Sequence, residues 1–172
     1  YYHFRNKQEI VREIFTLYSN ELLERFTPIL GQQESLVLLK RYLNSIFTLM
    51  WKYRFFYANL PEILQRDEQL HEDYIAVQEK LQTNLVNIMA DFVVLGMLDL
   101  SQDELRSLVR TLHLIATSWL GYQSAMSPRT QITEESIHQG MLQMISVVKP
   151  RATETGVEQL QLLEDGVKAM HA

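Results

Sequence analysis

No cysteine occurs anywhere in this chain of 172 residues, which removes disulfides, thiol nucleophiles and Cys-ligated zinc or iron–sulfur centres. The same absence fits a cytoplasmic location. Glycine and proline are also scarce, at six and four, and they form neither a phosphate-cradling loop nor a strand–turn–helix nucleophile elbow. Enzymatic activity is therefore not expected, and no cofactor is expected either. No run approaches 18 uninterrupted apolar residues, and the start has neither a charged n-region nor an apolar h-region, so no membrane partner is expected. The first residue is Tyr1 rather than Met, which points to further sequence upstream. Basic charge is short as well: 16 Lys and Arg face 21 Asp and Glu, a formal net charge of -5. A body that itself wraps nucleic acid concentrates Lys and Arg, so any DNA contact must come from a small local patch.

What is present is helical periodicity, with no strand-like alternation bounded by hairpin turns, and the expected fold class is all-α. At 47% hydrophobic and 22% charged residues the chain can bury one substantial core. Six or seven helices are expected. The first runs from about Lys7 to Phe26 behind an Asn6 cap, and the second from about Ser35 to Tyr57, stopped by Asn59-Leu60-Pro61. A short helix follows to about Arg66. The third long segment, Asp67 to Met97, carries Leu70, Tyr74, Val77, Leu81, Leu85, Ile88, Phe92 and Leu95 three or four apart and becomes apolar on nearly every side, as a central helix does. Ser101 and Glu104 form a capping box opening a helix to about Met126. Thr133 caps the next, which Pro150 ends, and a last helix covers about Val157 to Met170.

Tyr1-Tyr2-His3-Phe4-Arg5-Asn6-Lys7, followed by Glu9 and Ile10, resembles the stretch of TetR-family repressors that ends the recognition helix and opens the next helix. The string WKYRFFYANLPEIL, Trp51 to Leu64, is similar to one subgroup of that family. The resemblance implies a TetR-like helical sensing and dimerisation body over residues 7–172, preceded by the remnant, residues 1–6, of a helix-turn-helix head. It implies that Tyr1, Tyr2 and His3 meet the DNA backbone or groove edge of a double-stranded operator, and that Lys7 contacts a phosphate. A helix N-terminus and a Lys charge both favour a phosphate there. A helical carrier with no DNA role has the same kind of body, and a helix-turn-helix ending at Tyr1 is what separates the two.

Several side-chain sets are candidate sites. Trp51, Arg54, Phe55, Tyr74, Met89, Phe92, Trp119 and Tyr122 make an aromatic and Met-rich set suited to an apolar or amphipathic small-molecule effector. Arg54 falls on the apolar side of an unbroken second helix, where it needs a partner such as an acidic effector or Asp91. Ser107, Thr111, Ser118, Gly121 and Ala125 form a stripe of small residues, and Ile137, Gly140, Met141, Met144 and Val148 recur on the following helix. Together they suggest a homodimer interface, as the family resemblance implies. Glu68/His71 and Glu135/His138 have the Glu-x-x-His spacing of di-iron bundles. The buried stretches Leu36 to Tyr57 and Leu85 to Leu98 hold no Glu to complete such a centre, so no metal is expected. His113 shares a face with Arg106, Arg110, Thr117 and Ser124 and is read as a partly solvated histidine.

Overall fold

Local capping chemistry sets the helix starts. The computed structural model describes residues 6–29, 31, 33–127 and 131–170. Within them lie α1 (Lys7–Arg25), α2 (Ser35–Lys52), α3 (Arg54–Ala58), α4 (Leu60–Gln65), α5 (Glu68–Val94), α6 (Gln102–Met126), α7 (Glu134–Val148), a single 3-10 turn (Lys149–Arg151) and α8 (Glu154–Ala169). The side chains of Asn6, Asp67, Ser101, Thr133 and Thr153 each accept the backbone N–H three residues on, and Ser101 with Glu104 closes the capping box in both directions. Thr153 starts α8 three residues before the sequence pattern does, because capping, not apolar spacing, decides where the first turn forms.

The second helix is not continuous to Tyr57. It leaves helical geometry at Tyr53 (φ -108°, ψ 27°) and restarts as α3. Around that break the rings of Tyr53, Phe56 and Tyr57 close on buried Tyr18 of α1, with centroids 5.3, 5.1 and 5.5 Å away. Aromatic packing in this range contributes beyond area burial and outweighs one more turn of helix. The central helix likewise stops at Val94, before Met97. Gly96, at φ +76°, takes the left-handed position, and the N–H groups of Gly96 and Met97 bond back to the carbonyls of Val93 and Phe92 at 3.0 Å. This is a complete Schellman motif, with Met97 and Phe92 as its buried apolar pair.

α5 is the spine. α1 packs along its first half, α6 on its other side, and α7 lies between α6 and α2, with α8 against α7. The turns after α5 and α7 are strapped together by one antiparallel bridge, Leu98 to Ala152, with Asp99 N donating to Arg151 O at 2.8 Å and Thr153 N to Met97 O at 3.0 Å.

Asp67 joins α1 to α5. Its carboxylate caps Leu70 N at 3.1 Å and receives Arg12 through Nε at 2.7 Å and Nη2 at 2.9 Å. The Arg12 guanidinium, with the backbone N–H of Leu70 adding to it, holds the Asp67 carboxyl far below the usual carboxylate range. A carboxyl whose folded pKa is depressed contributes stability above its ordinary pKa of about 3.9 and loses it as pH falls toward the folded value. Asp67→Asn, which retains a capping oxygen but no charge, is expected to flatten the loss of stability below about pH 4. Urea midpoints measured at half-unit pH steps check this, and an acid limb identical to the parent's excludes Asp67 as its source.

Candidate functional site

The converging helices do not fill the centre of the bundle. A cavity of about 180 Å³ remains, slightly larger than the engineered apolar cavity of about 150 Å³ that stays dry and accepts benzene. Leu39, Leu43, Ile46 and Met50 of α2 form one wall, and Leu81, Leu85, Ile88, Met89 and Phe92 of α5 another. Tyr18 and Leu22 of α1 with Phe26 at its C-cap, Leu112 and Ala116 of α6, Met144, Ile145 and Val148 of α7, and Leu160 and Leu163 of α8 contribute the rest. Met50, Met89, Met97 and Met144 all line the space, more than half of the seven methionines in the chain. Unbranched thioether side chains re-pack at low cost, so this wall can adapt to an occupant.

Apart from Tyr42 of α2, the polar side chains of the lining gather at one corner, where Tyr18, Tyr57, Gln78, His113 and Thr117 meet, and no Asp, Glu, Lys or Arg lines it. Tyr57 donates its hydroxyl to Tyr18 at 3.2 Å. Burial pushes the pKa of both phenols up, so both stay protonated. His113 Nε2 lies 2.6 Å from Gln78 Oε1. An amide oxygen only accepts, so His113 is the donor and carries its proton on Nε2. Burial pushes the His113 pKa down, which favours the neutral ring.

The residues that the sequence suggests for an effector coincide with this cavity only in part. Met89 and Phe92 line the cavity, whereas Trp51, Arg54, Phe55, Tyr74, Trp119 and Tyr122 lie outside its wall. The break at Tyr53 accounts for Arg54: its guanidinium turns outward over the Trp51 ring, 4.1 Å from the centroid, and donates to Trp51 O at 2.7 Å. Among the described residues it makes no ion pair with Asp91, which is exposed. Tyr74 packs on Phe15, and Trp119 donates to Ser136 O at 2.7 Å, fastening α6 to α7. The polar corner was missed. Its signal was Gln78, a lone amide in the buried register of α5 between Tyr74 and Leu81.

Lys7 is exposed in the first turn of α1, and Tyr1, Tyr2 and His3 lie outside the described residues. On α6, Ser107, Ser118 and Ala125 are exposed and Thr111 and Gly121 partly so, with Leu114 at 61% exposure in their midst. The α7 residues fall elsewhere. Ile137, Gly140, Met141 and Met144 are buried in the chain's own core and Val148 is half-buried, because α7 is sandwiched between α2 and α6. They cannot face a symmetry mate without unpacking the protomer, and the outward side of α7 is instead Gln139, Gln143 and Ser146. His71 is exposed, while His138 is buried and stacks on Phe47 at 4.9 Å. Among the described residues no group of three or more His, Asp or Glu is placed to hold a metal ion.

The chain is thus an all-helical bundle with an apolar cavity at its centre and a hydrogen-bonding corner, a shape with room for a small molecule. The family model of TetR, described as a bacterial transcriptional repressor, matches residues 17–160, and the chain belongs to the TetR family. A TetR-family transcriptional regulator from Marinobacter aquaeolei VT8 has a similar crystal structure, with TM-score 0.83 and 25% identity over 97% of this chain and 80% of that one. No curated protein shows significant similarity to the sequence. Membership of this family makes the chain part of a transcriptional regulator.

Proposed function

We propose that residues 7–172 are the effector-binding and dimerising body of a repressor, in which a small apolar molecule enters the central cavity and alters the separation of two DNA-binding heads. The observation that carries this is the central apolar cavity with α1 in its wall. Tyr18 and Leu22 of α1 line the cavity, and Lys7 begins the same helix about 16 Å away at 1.5 Å per residue. A change in cavity contents thus acts on the helix that adjoins the motif resembling the end of a recognition helix. The coupling requires only different affinities for two states, about 1–3 kcal/mol.

In the protein with its DNA-binding head, Lys7→Ala is expected to weaken binding to all duplexes alike and to flatten the salt dependence by about one unit of slope. Fluorescence anisotropy against a pseudo-palindromic operator at several salt concentrations measures both. An unchanged affinity and slope removes Lys7 from the phosphate contact.

The dimer contact is assigned to the exposed α6 stripe from Ser107 to Ala125. Leu114, Tyr122 and Met126 are 61%, 54% and 66% exposed beside it, and apolar exposure gathered on one helix marks a contact surface. Gly121 is a clean probe, since a Cβ added there meets nothing within 4 Å of its own protomer. Gly121→Trp is expected to weaken the dimer at least about tenfold in sedimentation, a loss of about 1.4 kcal/mol from an interface of about 2,000 Å². A parent that sediments as a monomer at micromolar concentration refutes the assignment.

A further inference from the structure

The polar corner of the cavity holds a buried donor without a partner. Gln78 is 8% exposed and its Oε1 is taken by His113, while its amide nitrogen has no hydrogen-bond partner. That nitrogen approaches the Tyr18 hydroxyl closely enough to oppose the burial that raises the Tyr18 pKa, yet it does not reach full hydrogen-bonding geometry there. Tyr18 oxygen already accepts from Tyr57, and Thr117 spends its hydroxyl proton on the backbone carbonyl of His113 at 2.9 Å. The Gln78 amide N–H is thus a buried donor for which the empty cavity supplies no acceptor in hydrogen-bonding geometry. A buried N–H without a partner costs about 1–3 kcal/mol, so an occupant that supplies an acceptor at this corner recovers what the empty site lacks.

We infer that the effector is a neutral, mainly apolar molecule on the order of ten non-hydrogen atoms, bearing one carbonyl-type oxygen that accepts from the Gln78 amide. This rests on the cavity being the effector site. Charge decides against the ionised acids: no cationic side chain lines the cavity, and a carboxylate buried there leaves water with no countercharge. Arg54, the cation that the sequence offered for an acidic effector, lies outside the cavity wall with its guanidinium over Trp51.

Three probes of equal size separate these demands: acetophenone, its hydrocarbon isostere α-methylstyrene, and benzoate at pH 7.5. Binding is read from the methyl resonances of 13C-methionine-labelled protein, where Met50, Met89, Met97 and Met144 report the cavity and exposed Met170, away from the proposed α6 contact, serves as the control. Acetophenone and α-methylstyrene are expected to shift the cavity methyls and leave the Met170 methyl unmoved, with benzoate at least about tenfold weaker than acetophenone. Gln78→Met, close in size and without the amide, is expected to weaken acetophenone about tenfold relative to α-methylstyrene. Equal effects of Gln78→Met on both probes, or benzoate binding as tightly as acetophenone, overturns the inference while leaving the cavity as a binding site. Failure of all three to move any cavity methyl overturns the cavity reading itself. If Gln78→Met does not fold, the comparison of benzoate with acetophenone in the parent still decides.

Discussion

Replacing Gly156 with alanine is expected to cost about 3 kcal/mol or more of folding stability, a large effect for a single methyl group. Gly156 is buried in the first turn of α8, and its N–H is the one capped by Thr153 Oγ1 at 3.1 Å. A Cβ at this position runs into the carbonyl oxygen of Met97 and stands 3.0 Å from both the Met97 carbonyl carbon and the Ala152 Cβ. Backbone cannot swing aside as a flexible side chain can. The carbonyl in the way accepts Thr153 N at 3.0 Å, so relief of the clash pulls apart the strap between the two turns. In a domain of this size the loss lowers the melting temperature by about 6–12 °C. Gly166→Ala is the internal control. It lies in the same helix, exposed, with nothing within 4 Å of an added Cβ, and should stabilise the protein by up to about 1 kcal/mol. Urea unfolding of both variants tests the pair, and a Gly156→Ala midpoint within error of the parent defeats the argument.

Most of the architecture could be read from local signals, and the misreading with the largest consequence has a non-local cause. Ser101 with Glu104, Thr133 and Asn6 mark helix starts because each satisfies backbone donors next to it, with no help from distant residues. Gly96 could also have been read as the end of the central helix, since it stands in the position that only glycine takes freely. The break at Tyr53 could not. It goes with the packing of Tyr53, Phe56 and Tyr57 around Tyr18, a partner 35 to 39 residues away that periodicity does not see. That break moved Arg54 from the inferred apolar face to the surface.

The cavity shows the same division. Its apolar character was visible in the excess of aromatic and Met residues, but whether a given ring borders a void or fills one depends on the crossing of helices. Trp119 illustrates this: its indole ring lies so close to the α7 backbone that a Cβ at Gly140 would stand 2.6 Å from it. It is a structural wedge, although its type and position suggested a ligand contact. Gln78 and His113 carry the reverse lesson. Each looked like an ordinary polar residue, and only their pairing across α5 and α6 makes a hydrogen-bonding corner in an apolar space.

Filling the cavity should then separate stability from signalling. Ala116 of α6 lines the void and is half-buried, so Ala116→Trp places an indole, larger than the benzene accepted by a cavity of about 150 Å³, in the space proposed for the effector. Because that space is empty of side chains, the added apolar surface partly offsets overpacking, and the net stability change is expected to stay within about 3 kcal/mol. Binding of acetophenone or α-methylstyrene is expected to fall at least about 100-fold, the share of affinity that apolar burial of a small molecule supplies. In the protein with its DNA-binding head, the coupling between effector and operator, ordinarily a factor of about 5–150, should collapse to about one. The operator affinity of the variant without any ligand then identifies which state an occupied cavity favours: weak binding assigns release of DNA to the effector, and strong binding assigns co-repression. A variant that folds, forms dimers and still responds fully to effector shows that the signal enters somewhere other than the cavity between α2, α5, α6 and α7.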